Sequence, residues 1–185
     1  MRLATGREAS PSAGVIDSQS VKTTESGGPC GGACPRASLR LDPGDAGKKI
    51  KGRKRHILTD TGGLLVTALV HTADIQDRDG APDVLASIRA SFPWLRHVFA
   101  DGGYGGDKLR DAMAGRGQWT LQIIKRSDTA KGFVLLPRRW VVERTFAWLG
   151  RNRRLTKDFE TTLESSTAWL LLASIQLMTR RLANP

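Results

Sequence analysis

The run Leu64-Leu65-Val66-Thr67-Ala68-Leu69-Val70 is the strongest constraint on how this chain folds. A strand with one solvated face alternates apolar and polar residues. A run with a single polar side chain instead fits a strand covered on both faces, which needs helices on both sides of its sheet. We therefore read it as a central strand. Asp60-Thr61-Gly62-Gly63 just before it is a hairpin signal and joins it to a strand at His56 to Thr59.

Three more strands are predicted. Ala13 to Asp17 ends on Asp17, His97 to Ala100 is broken by Gly102-Gly103 directly after Asp101, and Trp119 to Ile124 is the last. Pro82 is placed to open a helix through Val84, Leu85, Ile88 and Arg89. A short helix is expected at Leu109 to Met113. A longer one, Arg138 to Arg151, has Val142, Phe146 and Leu149 on one face. The last runs from Thr162 to Leu182, with Thr161 and Glu164 at capping-box spacing, and with Trp169, Leu170, Leu172, Ile175 and Leu177 expected in the core. The order β-β-β-α-β-α-β-α-α implies an α/β fold, a mixed five-stranded sheet flanked by helices. Residues 1–12 are polar and expected to be disordered; 13–185 form one domain, interrupted by a Gly/Pro/Cys-rich loop around 27–47.

A chain of 185 residues supports one domain with a sizeable core. Its 29 Lys and Arg against 18 Asp and Glu give a net charge of +11, which points to a polyanionic partner, nucleic acid before a membrane surface. Cys30 and Cys34 read as free thiols, since a zinc site would need two further ligands nearby. The longest uncharged stretch, Ser165 to Thr179, has 15 residues, short of the roughly 18 of a membrane span. The start has no apolar signal-peptide core, so a cytoplasmic protein is expected.

The positive charge is concentrated. Lys48, Lys49, Lys51, Arg53, Lys54 and Arg55 are six cations within eight positions. On a strand, Lys49, Lys51, Arg53 and Arg55 would share one face and form a row able to follow a phosphate backbone; a solvated surface strand is the alternative. Arg151, Arg153 and Arg154 could serve the same DNA. Trp140 and Trp148 read as core, and Asp74, Asp77 and Asp79 beside His71 as a polar loop.

Against this basic background stand Asp17, Asp101 and Glu143, two at strand ends and one beside the apolar face of a helix. Hard carboxylate oxygens suit Mg²⁺, and a pair of such ions can drive in-line displacement at phosphorus. Ordinary roles compete. Asp17 could be a turn or cap residue, Asp101-Gly102 a turn dipeptide, and Glu143 the partner of Arg139 one helical turn earlier. Spacing alone leaves both readings open.

Longer strings go further. Val15-Ile16-Asp17-Ser18-Gln19-Ser20-Val21-Lys22-Thr23-Thr24-Glu25 resembles the first catalytic block of bacterial insertion-sequence DDE transposases. Asp45-Ala46-Gly47-Lys48-Lys49-Ile50-Lys51-Gly52-Arg53-Lys54-Arg55-His56 resembles the basic block that follows in the insertion sequence five group. Ala100-Asp101-Gly102-Gly103-Tyr104 resembles the second catalytic block. Arg138-Arg139-Trp140-Val141-Val142-Glu143-Arg144-Thr145-Phe146-Ala147-Trp148-Leu149 resembles the third, continuing into Arg151-Asn152-Arg153-Arg154-Leu155.

The resemblance implies a ribonuclease-H-like core with Asp17, Asp101 and Glu143 as the metal-binding catalytic triad. Mg²⁺, with Mn²⁺ as a substitute, would support cleavage at the element's terminal inverted repeats, and the freed 3′-hydroxyl would then attack target DNA. The active complex would contain at least two protomers. Arg139 falls at the arginine of the family's Y-x2-R-x3-E-x6-K pattern, where it would contact phosphate. The chain departs from that pattern at Leu136 in the tyrosine position and Gly150 in the lysine position, with Arg151 the next cation. Residues 30–43 look like extra sequence, and only 16 residues precede Asp17, where relatives carry a helical region that binds transposon ends. An upstream reading frame would supply that region. The alternatives are a truncated, non-catalytic DNA-binding remnant, or another ribonuclease-H-like nuclease.

Overall fold

The computed structural model describes residues 1–24, 44–45, 50–114, 117, 119–125 and 136–183. The strands are β1 (Ala13–Lys22), β2 (Gly44–Asp45), β3 (Ile50–Asp60), β4 (Leu65–Thr72), β5 (His97–Ala100) and β6 (Thr120–Ile123). The helices are α1 (Asp77–Ile88), α2 (Asp107–Met113), α3 (Pro137–Leu149) and α4 (Leu163–Ala183). Five strands form the expected mixed sheet in the order β4-β3-β1-β5-β6, and the two-residue β2 pairs with the start of β3. β3 runs antiparallel to both of its neighbours, β4 and β1, whereas β1, β5 and β6 run parallel.

Helices cover both faces. On one, Ile16, Leu58 and Val98 pack under Ala81, Val84, Leu85 and Ile88 of α1 and Leu109 and Met113 of α2. On the other, Val15, Ile57, Ala68 and Phe99 pack under Val142, Phe146 and Leu149 of α3 and Leu170 and Ala173 of α4. The alternation of Val15 and Ile16 between the two clusters is the period-2 geometry of a strand.

Among the described residues β4 pairs only with β3, so the apolar run Leu64–Val70 is an edge strand and not a central one. It is apolar on both sides because α1 and α4 each cover one of its faces; strand neighbours are not required for that. A register shift at Leu58/Thr59 inserts one extra residue on β4. Leu65 and Ala68 consequently face the same cluster despite their odd spacing.

Several boundaries also move. β1 continues past Asp17 to Lys22 because β3 pairs with it over nine positions, from Gly14↔Asp60 to Lys22↔Gly52. α1 starts at Asp77, with Asp77 and Asp79 in its first turn, and Pro82 lies inside it. Carboxylates favour a helix N-terminus, and a proline this early removes only one backbone hydrogen bond. α4 is capped by Thr162 in place of Thr161, its Oγ1 accepting from the Ser165 amide at 3.1 Å. On α4, Leu170 is buried, whereas Leu172 and Ile175 are more than half exposed, because one face of the helix suffices to cover the sheet. Near the N-terminus, where disorder was expected, Leu3–Thr5 form a 3-10 turn and Arg2 pairs with Asp60. The loop expected around 27–47 lies outside the described residues except for Gly44–Asp45. Among the described residues, no helix is long and apolar enough to cross a membrane.

Candidate active site

β1 and β5 pair in parallel over Ala13↔His97 to Val15↔Phe99. Extending that register by two brings Asp17 level with Asp101, which follows the last residue of β5. Parallel neighbours lie about 4.8 Å apart, so topology closes an 84-residue gap (101 − 17). Asp17 shares the face of Val15, the side covered by α3. Beyond Val15 the β5 side of β1 is no longer paired, which opens a notch at the sheet's centre.

Each acid is fixed locally. Asp17 Oδ1 accepts from the Ser18 amide at 2.7 Å. Asp101 caps the 3-10 turn Gly102–Tyr104, Oδ1 accepting from the Gly103 amide at 2.8 Å. Glu143 projects from the flank of α3, and Arg139 one turn earlier connects the group: its Nη2 lies 3.3 Å from Glu143 Oε1 and 3.9 Å from Asp101 Oδ2. Burial pushes the Asp17 carboxyl up to about 7; the Ser18 amide opposes this, Asp101 adds to it, and Arg139 offsets part of it.

A second set of contacts supports the notch from the α1 side. Ser18 Oγ donates to Asp77 Oδ1 at 2.6 Å, and Lys54 Nζ lies 3.1 Å from the same oxygen. A Cβ on Gly103 would stand 3.1 Å from Asp101 Oδ1 and 3.3 Å from Asp77 Oδ2, so glycine lets these two carboxylates flank the turn. Tyr104 is fully buried; desolvation, with Asp17, Asp77 and Asp101 around it, pushes its hydroxyl well above the usual range. Asp77, read from sequence as part of a polar loop, is thus the first residue of α1 and a neighbour of the acids. Its place just ahead of a helix was the signal available for it.

The basic block is used differently from the row of phosphate contacts expected. Lys48, Lys49 and the Lys51 side chain lie outside the described residues. Arg53, Lys54 and Arg55 are buried. Arg53 pairs with Asp158 at 3.2 Å and donates to the carbonyls of Thr161 and Thr162 at 2.9 and 3.0 Å. Arg55 donates to the carbonyls of Leu155 and Lys157 at 2.6 and 3.3 Å. Arg53 and Arg55 do share one strand face, but the segment between α3 and α4 covers it, and no local sequence signal marks Asp158 as the anchor. Arg151 and Arg153 are exposed. Arg154 pairs with Glu160 at 2.5 Å and lies 5.2 Å over the Trp169 ring. Trp140, expected in the core, is 42% exposed. Leu136 precedes α3, and Gly150 is its C-cap.

Three carboxylates with hard oxygen donors around a notch have the donor chemistry for a divalent cation; the raised Asp17 pKa records burial first, with the charges of Asp101 and Asp77 adding to it and Arg139 offsetting part. Arg139 stands in as the cation. Among the described residues, no three Asp, Glu, His or Cys side chains are already at coordination spacing. The residues fit such an ion by chemistry, and Arg139 bridges Asp101 and Glu143.

The chain is similar to known proteins. Over 140 residues the chain is 33% identical to a Burkholderia cepacia protein assigned as the transposase of insertion sequence element IS402; the match covers 72% of this chain and 65% of that protein. The chain thus spans just under two thirds of the relative's length. The fold is similar to a chain of the simian T-cell lymphotropic virus intasome, solved in complex with PP2A regulatory subunit B56 gamma. The TM-score is 0.53 at 13% identity, covering 91% of this chain and 49% of that one. This likeness agrees with a ribonuclease-H-like α/β fold. Residues 8–178 match the family described as Transposase DDE domain, a span that holds both aspartates, the glutamate and all three blocks around them, and the chain belongs to that family.

Proposed function

We propose that residues 13–185 are the catalytic domain of a DNA transposase that cleaves at insertion-sequence ends and transfers the freed strand into target DNA. The observation that carries this reading is the convergence of Asp17, Asp101 and Glu143 around Arg139, from one strand, one strand end and one helix. Asp17 and Asp101 would hold a divalent cation jointly, Mg²⁺ or Mn²⁺, and Glu143 would complete the site. When bound, such a cation polarises the scissile phosphate and activates the attacking hydroxyl.

The chain's own residues do the positioning. The Ser18 amide and the Gly103 amide each fix one carboxylate oxygen of Asp17 and Asp101. Arg139 can exchange its carboxylate partners for a phosphate oxygen, since a guanidinium donates equally well to either. That exchange would release Glu143 as DNA arrives. Lys48, Lys49, Lys51, Arg151, Arg153 and Arg154 would add backbone contacts, terminal repeats and target DNA being the substrates. At least two protomers would be needed to join two ends.

A second reading is favoured by the Arg139 ion pairs and by the absence of coordination spacing among the described acids. On it, the chain is a DNA-binding remnant in which the acids are permanently neutralised. Cleavage of supercoiled plasmid carrying the element's flanking repeats separates the two. The expected result is Mg²⁺-dependent nicking at the repeat ends, abolished by EDTA and reduced at least ~10³-fold by Asp101→Asn while DNA binding persists. Normal cutting by Asp101→Asn would sink the metal-cage mechanism, and salt-sensitive binding without any cutting would favour the remnant.

A further inference from the structure

The flank of α3 opposite the acids carries a different device. Glu143 and Trp148 are five residues apart, which puts them roughly 140° apart around the helix axis. On the Trp148 side, two cations share one indole: the Arg144 guanidinium carbon lies 4.6 Å from the ring centroid, and that of Arg181, from α4, lies 4.0 Å away. Arg144 Nε and Arg181 Nη2 are shielded from solvent and have no hydrogen-bond partner. Desolvation and the Arg144 charge both lower the Arg181 pKa, and Asp60 only partly opposes them. Two like charges held against one ring make this flank strongly positive.

Beside them a cleft of about 630 Å³ lies between the end of α3 and the outer half of α4. Among the described residues its charged lining is Arg151, Arg153, Arg180 and Arg181, with the amides of Asn152 and Gln176 and without a carboxylate. Planar guanidinium forks match phosphate oxygens bidentately, and the amides add neutral donors.

We propose that this cleft is a second phosphate-binding site that takes the backbone of duplex DNA outside the strand being cut. The proposal rests on the reading of the chain as a DNA transposase. Glu143 and Trp148 face about 140° apart around α3, so phosphates held in the cleft lie away from the strand at the acids. An acidic peptide would satisfy the same charges, but it would gain less from closely set guanidinium forks than a continuous row of phosphates does.

The test uses the full chain and a fluorescein-labelled, non-specific 20-bp duplex, with Kd measured by anisotropy across a salt series. The exposed pair Arg151→Ala/Arg153→Ala avoids disturbing the packed Trp148, and Arg181→Gln is the second variant. The double variant is expected to bind about 10-fold or more weakly near 0.1 M salt, its log Kd against log salt slope falling by about 2; Arg181→Gln should lower the slope by about 1. Unchanged slopes in both arginine variants would overturn the proposal, as would poly-glutamate binding that depends on these arginines while duplex binding does not. Metal-dependent cutting with unchanged slopes would remove the cleft and leave the enzyme. Arginine-dependent slopes without any cutting would remove the enzyme and leave the cleft.

Discussion

Arg53 and Asp158 lie 105 residues apart and meet as a buried ion pair, with the carboxylate also accepting from Ser166 Oγ at 2.6 Å and the Glu160 amide at 2.9 Å. Ions this deep depend on their partners, and removing one strands the other's charge. Such losses cost about 3–5 kcal/mol. Asp158→Ala should therefore lower the urea-unfolding free energy by about that much, and Asp158→Asn, which keeps an acceptor, by less. A midpoint unchanged by Asp158→Ala would mean the pair contributes nothing to the fold. At the same scale, the acids of the notch illustrate what was legible in the chain. Asp17, Asp101 and Glu143 could be singled out by the blocks around them. That Arg139 would sit among them, and that Asp77 would reach Ser18 from α1, required the fold. Local sequence records what a residue can do, whereas its partner is set by chain elements far away.

Elements show how close packing restricts substitution. Gly80, in the first half of α1, faces His56 of β3, and a Cβ there would stand 2.6 Å from the ring's Cε1 and 2.7 Å from Nε2. Alanine raises intrinsic helix stability by about 1 kcal/mol. Here it would also force the helix off the sheet or the ring off its position, a cost of about 1–3 kcal/mol or more. We expect Gly80→Ala to lower the melting temperature despite the better helix former; a raised melting temperature would show that α1 can shift freely. Strand character at β3, β4 and β5 could be read from apolar composition and turn residues. The extension of β1 to Lys22 and of β3 back to Ile50 could not, because their polar, basic residues become strand only by pairing with each other. The edge position of β4 was hidden for a related reason. Apolar residues on both faces report coverage by helices and say nothing about which strands lie alongside.

For the molecule as a whole, the sandwiched sheet implies acid sensitivity. His56 lies between β3 and α1, and burial lowers its pKa to about 3; His71 of β4 and Lys54 of β3 add to this, and Asp77 of α1 opposes it. The folded state therefore holds a neutral imidazole. Above the ordinary value of about 6.5 both states are neutral and the contribution is complete; below it the unfolded chain takes up a proton that the folded chain refuses. Stability should fall as pH drops from about 6.5 towards 3, by at most about 1.4 kcal/mol per unit. His56→Gln should remove that part of the acid limb in a pH series of thermal melts. If wild type and variant lose stability in parallel, His56 is not its source.

By itself the sequence determined the kind of protein: an α/β domain with a strongly basic surface and three acids set in recognisable blocks. These are properties of composition, periodicity and local strings, each decided within a dozen residues. Only the tertiary structure decided which cations remain available to a polyanion. Arg53 and Arg55 looked like a DNA-binding row and are enclosed by the segment around Asp158, while Arg144 and Arg181, unmarked in the chain, meet at Trp148. The physical reason is that charge is counted along a sequence, whereas exposure and pairing depend on which distant segment comes to lie over a residue.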